Sequence, residues 1–219
     1  PAIDNLQYHA LRSRTLGGIF KDVLGPARAV TVLGAQAANL WTASHGLEYL
    51  KRRFGGGVDI DAVAIAPYIG VMPKLIEAST YSAMTLDGLF DRLRTKALPE
   101  ASGRISDYRK LVNAYGLSLI AYEGGQHMVG ILGAENDKEL TKLFLAFNRD
   151  QRIKQLYLDY LAEWKRAGGE LFVHYSDVGQ FGKWGSWGAL EYIGQPRETA
   201  PKFDALQTFI ERNPVWWKQ

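Results

Sequence analysis

Short apolar runs alternate with amphipathic stretches along this chain of 219 residues. Four runs are rich in β-branched or aromatic residues and end at Gly, Pro or polar residues, which is typical of buried strands. They lie at 29–34, 62–68, 117–123 and 170–175. Apolar residues recur at helical spacing in the stretches 8–23, 42–54, 86–97, 103–114, 137–148, 151–167 and 201–212. This alternation predicts an α/β fold in which βα units surround a parallel sheet.

Two architectures fit the pattern, an open doubly wound sheet and part of a (β/α)8 barrel. Each predicted strand ends in polar or aromatic residues, and their convergence at one sheet edge favours the barrel. The candidates for this edge are Gln36, Asn39, Trp41, Tyr68, Glu123, Gln126, His127, His174, Trp184 and Trp187. A barrel needs eight strands in about 250 residues. We therefore predict its C-terminal half, strands five to eight, as a single partial domain over residues 1–219.

Composition narrows the classes of function. Hydrophobic residues make up 47% and charged residues 22% of the chain, as in ordinary folded proteins. The net charge is only +3 and the basic residues are scattered, so a nucleic-acid partner is not expected. The chain has no Cys, which excludes disulfides and Cys-ligated metals. No apolar run reaches the roughly 20 residues that a membrane span needs.

Motifs for metal or cofactor chemistry are missing. The histidines at 9, 45, 127 and 174 show no HxxxH or HExxH spacing, so no metal site is expected. Residues 34–38 follow a strand but lack the later glycines of a dinucleotide-binding turn, so no cofactor is expected. No Ser lies in a GxSxG motif, which disfavours a serine hydrolase.

Glu123 is the best catalytic candidate, because it ends an apolar strand and precedes two glycines. Such a carboxylate has a rigid support, and the glycines let the chain turn and leave space beside it. Tyr68 ends the preceding strand and could orient Glu123 and keep it ionised by hydrogen bonding. The plainer alternatives are a solvated or ion-paired glutamate and a half-buried aromatic residue at a strand end.

Residues 179–188 are rich in glycine and tryptophan. Flat apolar rings combined with a few polar groups are typical of small-ligand sites, and indole faces suit the C–H-rich faces of sugars. Trp184 and Trp187 could instead cap the core of the domain. The other candidates for ligand contact are Trp41, Gln36, Asn39, Gln126, His127 and His174.

Several strings together resemble one group of enzymes. They are AYEGGQH at 121–127, APY at 66–68, FVHY at 172–175 and KWGSWG at 183–188. The chain resembles the C-terminal half of clan A-type glycoside hydrolase barrels, as in bacterial proteins described as glycosidases or cellulose-binding proteins. The resemblance implies that Glu123 is the nucleophile, that Tyr68 orients it, and that Trp184 or Trp187 stacks on sugar. The acid/base Glu of that clan typically follows an Asn, and no Asn-Glu dipeptide occurs in this sequence.

The resemblance implies a retaining β-glycosidase-like parent that acts on a polysaccharide and is secreted or periplasmic. Without a general acid, this chain alone is expected to be inactive or nearly so. We expect a fragment or processed product that self-associates or pairs with a missing N-terminal half. A non-catalytic carbohydrate-binding barrel and a self-contained four-strand α/β domain with an unrelated role remain open alternatives.

Overall fold

A computed structural model describes residues 4–217 of the chain. Within that range the strands are β1 (Val32–Gly34), β2 (Ala62–Ile65), β3 (Ile69–Val71), β4 (Ser118–Ala121) and β5 (Gln126–Met128). The α-helices are α1 (Asn5–Leu24), α2 (Trp41–Arg53), α3 (Leu75–Ser82), α4 (Leu86–Arg92), α5 (Leu98–Tyr115), α6 (Lys138–Arg149), α7 (Arg152–Arg166) and α8 (Pro201–Arg212). All strand pairs are parallel, as the sequence predicts.

The chain divides into two compact units. The first contains the residues up to 67 together with 103–122 and 167–172, and the second contains 68–102, 123–166 and the residues from 173 onward. The sequence-based expectation of one domain over residues 1–219 stays a prediction. Each unit is described by itself.

The first unit is built on a parallel sheet with the strand order β1-β2-β4. Val63 in β2 lies opposite Leu33 on one side and Leu119 on the other. All four residues of β2 are buried, which explains why its sequence is continuously apolar rather than alternating. Helix α1 packs closely on α2, because Gly46 leaves room for the methyl group of Ala10.

The predicted strand at 170–175 is wrong. Only Phe172 forms a parallel bridge, to Ala121 of β4. The amide of residue 170 donates to the Leu119 carbonyl at 2.8 Å, and Ala121 N–H donates to the Leu171 carbonyl at 2.9 Å. The ladder stops there because β4 itself ends at Ala121, where the chain bends.

The strand order separates the two predicted architectures. The bridge at Phe172 continues the first unit's sheet in chain order, after β1, β2 and β4. A doubly wound sheet reverses its order at a switch point, whereas consecutive barrel strands are neighbours throughout. The first unit is therefore a mixed α/β arrangement with parallel strands in a barrel-like order.

The second unit contains a small parallel sheet that the sequence does not predict. Its strands β3 and β5 pair with Gly70 opposite His127. Each strand has only three residues and carries a glycine or a polar side chain, so neither shows the apolar run of a longer strand. Helices pack around this sheet, and the rings of Phe90 and Phe147 lie 4.5 Å apart between α4 and α6.

Helical periodicity locates most helices, with two differences. Helix α3 is missing from the prediction, since its eight residues show only a weak amphipathic pattern. The two helices predicted at 86–97 and 103–114 are one continuous run, in which a π-helical turn at Leu93–Ala97 joins α4 to α5. The wider π turn lets the helix continue past Pro99, whose ring would break a regular α-helix.

Helix α1 carries exposed apolar side chains, including Ile19, Phe20 and Val23. Such a row is compatible with the self-association expected from the sequence, which stays a prediction. Among the helices described, none combines the length and the apolar character needed to cross a bilayer.

Candidate functional site

Four rings of the second unit form an aromatic cluster: Tyr68, His127, Tyr175 and Trp187. The Trp187 ring centre lies 4.6 Å from that of His127, 6.0 Å from Tyr68 and 6.1 Å from Tyr175, all edge-on. Tyr68 and His127 also meet edge-on at 5.4 Å. Edge-to-face contacts at these distances are favourable between aromatic rings. The structure therefore brings together three residues predicted from sequence, together with Tyr175, which was not predicted.

Backbone hydrogen bonds fix the segment that carries Trp187. The Ser176 amide donates to the Trp187 carbonyl at 3.1 Å, and the Ala189 amide donates back to the Ser176 carbonyl at 2.8 Å. Gly182 and Gly185 exchange two backbone hydrogen bonds of 3.1 Å, which close the intervening turn. Gly185 has a φ of +126°, and a Cβ there would collide with the Trp187 indole. A glycine is required at this position.

Trp184 lies at the tip of this turn and is 69% exposed. The ammonium of Lys183 lies 4.5 Å from the ring centre. The Trp187 indole N–H donates to the Trp184 carbonyl at 3.2 Å, so the two tryptophans are tied through the backbone. Trp184 is thus placed where its ring meets solvent, as a stacking residue requires.

Glu123 lies in the bend between β4 and β5 and is half-buried. The turn behind it is anchored, because Tyr175 N–H donates to the Gly124 carbonyl at 2.8 Å and Ile69 N–H to the Gly125 carbonyl at 3.0 Å. Gly125 has a φ of +142°, and a Cβ there would lie 3.1 Å from His174 Nε2. The positive φ of Gly125 explains why a glycine stands at that position of the bend. The orienting role of Tyr68 toward Glu123 stays a prediction.

Gln126 is a buried support for the loop that carries Trp187. Its amide Nε2 donates to the Ser186 carbonyl at 2.7 Å, and its Oε1 accepts from Met128 N–H at 2.8 Å. Its backbone N–H donates to the Tyr157 hydroxyl at 3.0 Å. With 1% of its surface exposed, Gln126 supports the loop through these hydrogen bonds, and its predicted contact with a ligand stays a prediction.

His174 is held by protein atoms on both ring nitrogens. Since the Ser176 carbonyl can only accept, Nδ1 carries the proton and donates to it at 3.1 Å. Nε2 then accepts from the Tyr157 hydroxyl at 3.4 Å. Burial, with the nearby charge of Lys202, lowers the pKa of His174 to about 4, so the ring is neutral at pH 7. Its predicted contact with a ligand stays a prediction.

Burial also lowers the pKa of His127. A neutral imidazole packs against the Trp187 ring without the cost of desolvating a charge. His127 therefore acts in the aromatic cluster as a flat, uncharged ring, which is compatible with its predicted place in a ligand site.

The remaining predicted site residues belong to the first unit. The ring of Trp41, at the start of α2, is exposed on one face and stacks on His45 at 4.5 Å. The carbonyls of Gln36 and Asn39 both accept from the Tyr108 hydroxyl, at 2.7 and 3.2 Å. These three residues form a group after β1, and their contact with a ligand stays a prediction.

Sequence reasoning missed three residues that build the site. Tyr157 lies in α7 and Lys202 in α8, where helical periodicity explains their positions without any functional role. Tyr175 belongs to the segment predicted as a strand, although its position after FVH was a usable signal. Among residues 4–217, no group of three or more His, Asp or Glu side chains is placed to hold a metal ion.

Comparisons with known proteins give one distant likeness. The structure resembles one in a report entitled "Structure of two fungal beta-1,4-galactanases: searching for the basis for temperature and pH optimum", with a TM-score of 0.43 and 9% sequence identity. The match covers 78% of this chain and 45% of the galactanase, so the chain spans less than half the length of that protein. No protein-family model and no curated protein matches the sequence.

Proposed function

We propose that the second unit binds a β-linked carbohydrate at the aromatic cluster and that Glu123 is the nucleophile of a retaining glycosidase site. The observation that carries the proposal is the contact of Trp187 with His127 and Tyr68, because His127 follows Glu123 by only four residues, just after a glycine-rich bend. In this proposal the parallel strands of the first unit correspond to strands five to seven of a (β/α)8 barrel, with the segment at Phe172 in place of strand eight.

The chemistry of the cluster suits a sugar. A pyranose presents C–H groups on its faces and hydroxyls around its rim, so it needs flat apolar walls and a few polar groups. The indoles of Trp184 and Trp187 supply the walls, and Tyr68 supplies a hydroxyl. A neutral His127 adds a further ring without repelling an apolar face.

The proposed reaction has two steps. The Glu123 carboxylate attacks the anomeric carbon and forms a glycosyl ester, while the glycosidic C–O bond breaks and a general acid protonates the departing oxygen. Water then hydrolyses the ester, with the former acid acting as base. The proposal assigns that acid to a residue outside this sequence, in keeping with the resemblance, and so expects slow or no turnover of natural glycosides by the chain alone.

Binding and hydrolysis are measured separately on oligosaccharides of β-glucan, xylan, mannan and arabinan. Calorimetry is expected to detect binding of one of them, and Trp187→Ala to weaken it about tenfold or more, which is about 1.4 kcal/mol. Trp216→Ala, the same change after α8, serves as the control and should bind normally. The proposed site would be overturned if Trp187→Ala bound the sugar as tightly as the wild type does, or if the wild type bound none of these sugars.

A non-catalytic carbohydrate-binding module is the second candidate. It is favoured by the fact that the whole aromatic cluster lies within the second unit, whereas the proposed acid is supplied from elsewhere. Assays of reducing-end release distinguish the two in a longer protein that carries this sequence. An enzyme loses hydrolysis in Glu123→Gln and keeps binding; a binding module has no hydrolysis to lose.

A further inference from the structure

Lys202, in the first turn of α8, is 1% exposed. Its ammonium donates to the Ser186 carbonyl and, at 3.1 Å, to Oδ1 of Asn148, which is also buried. The same ammonium lies 4.2 Å from the ring centre of Phe181. Burying a charge is costly unless hydrogen bonds and nearby partial charges compensate for it. Here two oxygens and an aromatic face do so.

The Ser186 carbonyl connects this lysine to the aromatic cluster. It accepts from Lys202 and also, at 2.7 Å, from the amide of Gln126 in β5. The next residue in the chain is Trp187, whose ring touches His127 and Tyr68. Two buried donors thus hold the peptide group immediately before the central ring of the cluster, one from the small sheet and one from α8.

We propose that Lys202 is a positioning residue that fixes the Ser186 carbonyl and thereby holds Trp187 in the aromatic cluster. The consequence for sugar binding rests on the proposed function, but the positioning itself does not. The backbone hydrogen bonds with Ser176 hold the segment on the far side of Trp187, and the bonds from Gln126 and Lys202 hold it on the side of Ser186. Helix α8, which sequence analysis gave no role, becomes part of the support of the site.

The protonation state of Lys202 is expected to affect the position of Trp187. Burial lowers the pKa of this lysine to about 7, and the charge of Glu191 opposes that shift. Other charged or titratable groups near Lys202 or the Trp187 ring include Arg149, which pairs with Glu191, and His174, whose pKa is about 4. His127 also touches the Trp187 ring, and burial lowers its pKa below the ordinary histidine value. An ammonium has three donors and makes charge-assisted bonds, whereas the amine has two weaker donors. The hydrogen bond from Lys202 to the Ser186 carbonyl therefore weakens as pH rises through about 7.

Nuclear magnetic resonance of the indole N–H of Trp187 tests the positioning role of Lys202 without any sugar. The resonance is assigned by its absence from the spectrum of Trp187→Phe. In the wild type we expect the resonance to shift with pH, with a midpoint near the lysine pKa of about 7. Lys202→Met, which keeps the length of the side chain, should displace the resonance and abolish the titration. Lys142→Met, at an exposed lysine of α6, is the matched control and should titrate as the wild type does.

A Lys202→Met resonance identical to that of the wild type, or a wild-type resonance that keeps one position over the whole pH range in which Lys202 titrates, would overturn the proposal. If Lys202→Met does not fold, Asn148→Ala decides the question. Removing the Asn148 oxygen that accepts from the ammonium should lower the pKa of Lys202 and move the midpoint of the titration to lower pH. An unmoved midpoint in that variant would equally contradict the proposal.

Calorimetry with the sugar bound by the wild type then tests the link to ligand binding. Lys202→Met should bind it about tenfold more weakly, a loss of about 1.4 kcal/mol, and Lys142→Met should bind it unchanged. If no sugar binds the wild type while the resonance titrates as expected, the proposed function fails and the positioning role stands. If sugar binds equally to Lys202→Met, the positioning role fails and the proposed function stands.

Discussion

Individual residues beneath the aromatic cluster are buried, ionisable and hydrogen-bonded to one another. His174 and Tyr157 share a hydrogen bond, and the Tyr157 hydroxyl also accepts from the backbone of Gln126. Burial raises the pKa of the Tyr157 hydroxyl, so it remains a neutral donor, while burial lowers the pKa of His174. A neutral network of this kind is stable only while the imidazole stays unprotonated.

This gives a prediction for stability against pH. The folded pKa of His174 is about 4, below the ordinary histidine value of 6.5, so between these values the unfolded chain binds more protons. The stabilisation of the fold by the neutral His174 is therefore fully present above about pH 6.5 and is lost as the pH falls toward 4. Between pH 4 and pH 6.5, we expect the free energy of unfolding to change by about 1–3 kcal/mol less in His174→Gln than in the wild type.

Urea unfolding of both proteins at several pH values from 4 to 7 measures this dependence. The exposed His9 provides the control, because His9→Gln should leave the dependence as in the wild type. Identical slopes for wild type and His174→Gln would show that this imidazole is not held neutral by the fold.

Sequence patterns locate the bend around Glu123 and leave the roles of single residues open. Glu123 was a candidate because an apolar run stops at a carboxylate followed by two glycines, and its role stays a proposal. Gln126 and His174 looked like ligand contacts, since polar residues near strand ends often are. Both residues also bond to partners more than 15 residues away, on α7 and on the loop that carries Trp187, which no local pattern can show. Their contact with a ligand stays a prediction.

Among the structural elements, the loop that carries Trp184 and Trp187 depends most on its glycines. Gly182 and Gly185 bond to each other, but only Gly185 has a positive φ and faces the Trp187 ring. A Cβ on Gly182 meets open space. The two positions thus form a matched pair for testing the shape of the loop.

We predict that Gly185→Ala displaces Trp187 and destabilises the fold by about 1–3 kcal/mol, since both steric overlap and a strained backbone oppose the methyl group. Gly182→Ala should change stability by less than about 0.5 kcal/mol. Thermal unfolding and near-ultraviolet circular dichroism of the tryptophans measure the two effects. Equal unfolding temperatures and equal near-ultraviolet spectra of the two variants would contradict this loop geometry.

Element prediction succeeded where periodicity extends over several turns or a whole buried strand. Helix α8 was predicted with its observed bounds, and β2 and β4 were located within their apolar runs. Strands β3 and β5 were missed, because three residues that include a glycine or a histidine carry no periodic signal. The segment at 170–175 has strand-like residues, but β4 ends too early to pair with all of them.

On the scale of the whole molecule, the residues predicted for one site belong to two units. Tyr68, Glu123 and Trp187 lie in the second unit, and Trp41 lies in the first. Sequence could not predict this division, because the segments of each unit are interleaved along the chain. The parallel pairing of the strands was predictable from βα alternation, whereas their order was not, because a doubly wound sheet and a barrel show the same alternation.

The proposed function depends most on Glu123 acting as a glycosidase nucleophile. Dinitrophenyl β-glycosides that carry fluorine in place of the hydroxyl beside the anomeric carbon test it directly, because dinitrophenolate leaves without a general acid. The Glu123 carboxylate would form a bond to the anomeric carbon as the bond to dinitrophenolate breaks, and the fluorine slows hydrolysis of the ester. Glucosyl, xylosyl and mannosyl reagents cover the β-linked sugars of the panel.

The measurement is mass spectrometry of the protein and its peptides after incubation with each reagent. We expect one glycosyl group on the peptide that contains Glu123, none on Glu123→Gln, and normal labelling of Glu139→Gln, a matched change on the exposed surface of α6. Labelling of a different carboxylate, or the absence of any adduct on a protein that binds the corresponding sugar, would contradict the assignment of Glu123 as nucleophile.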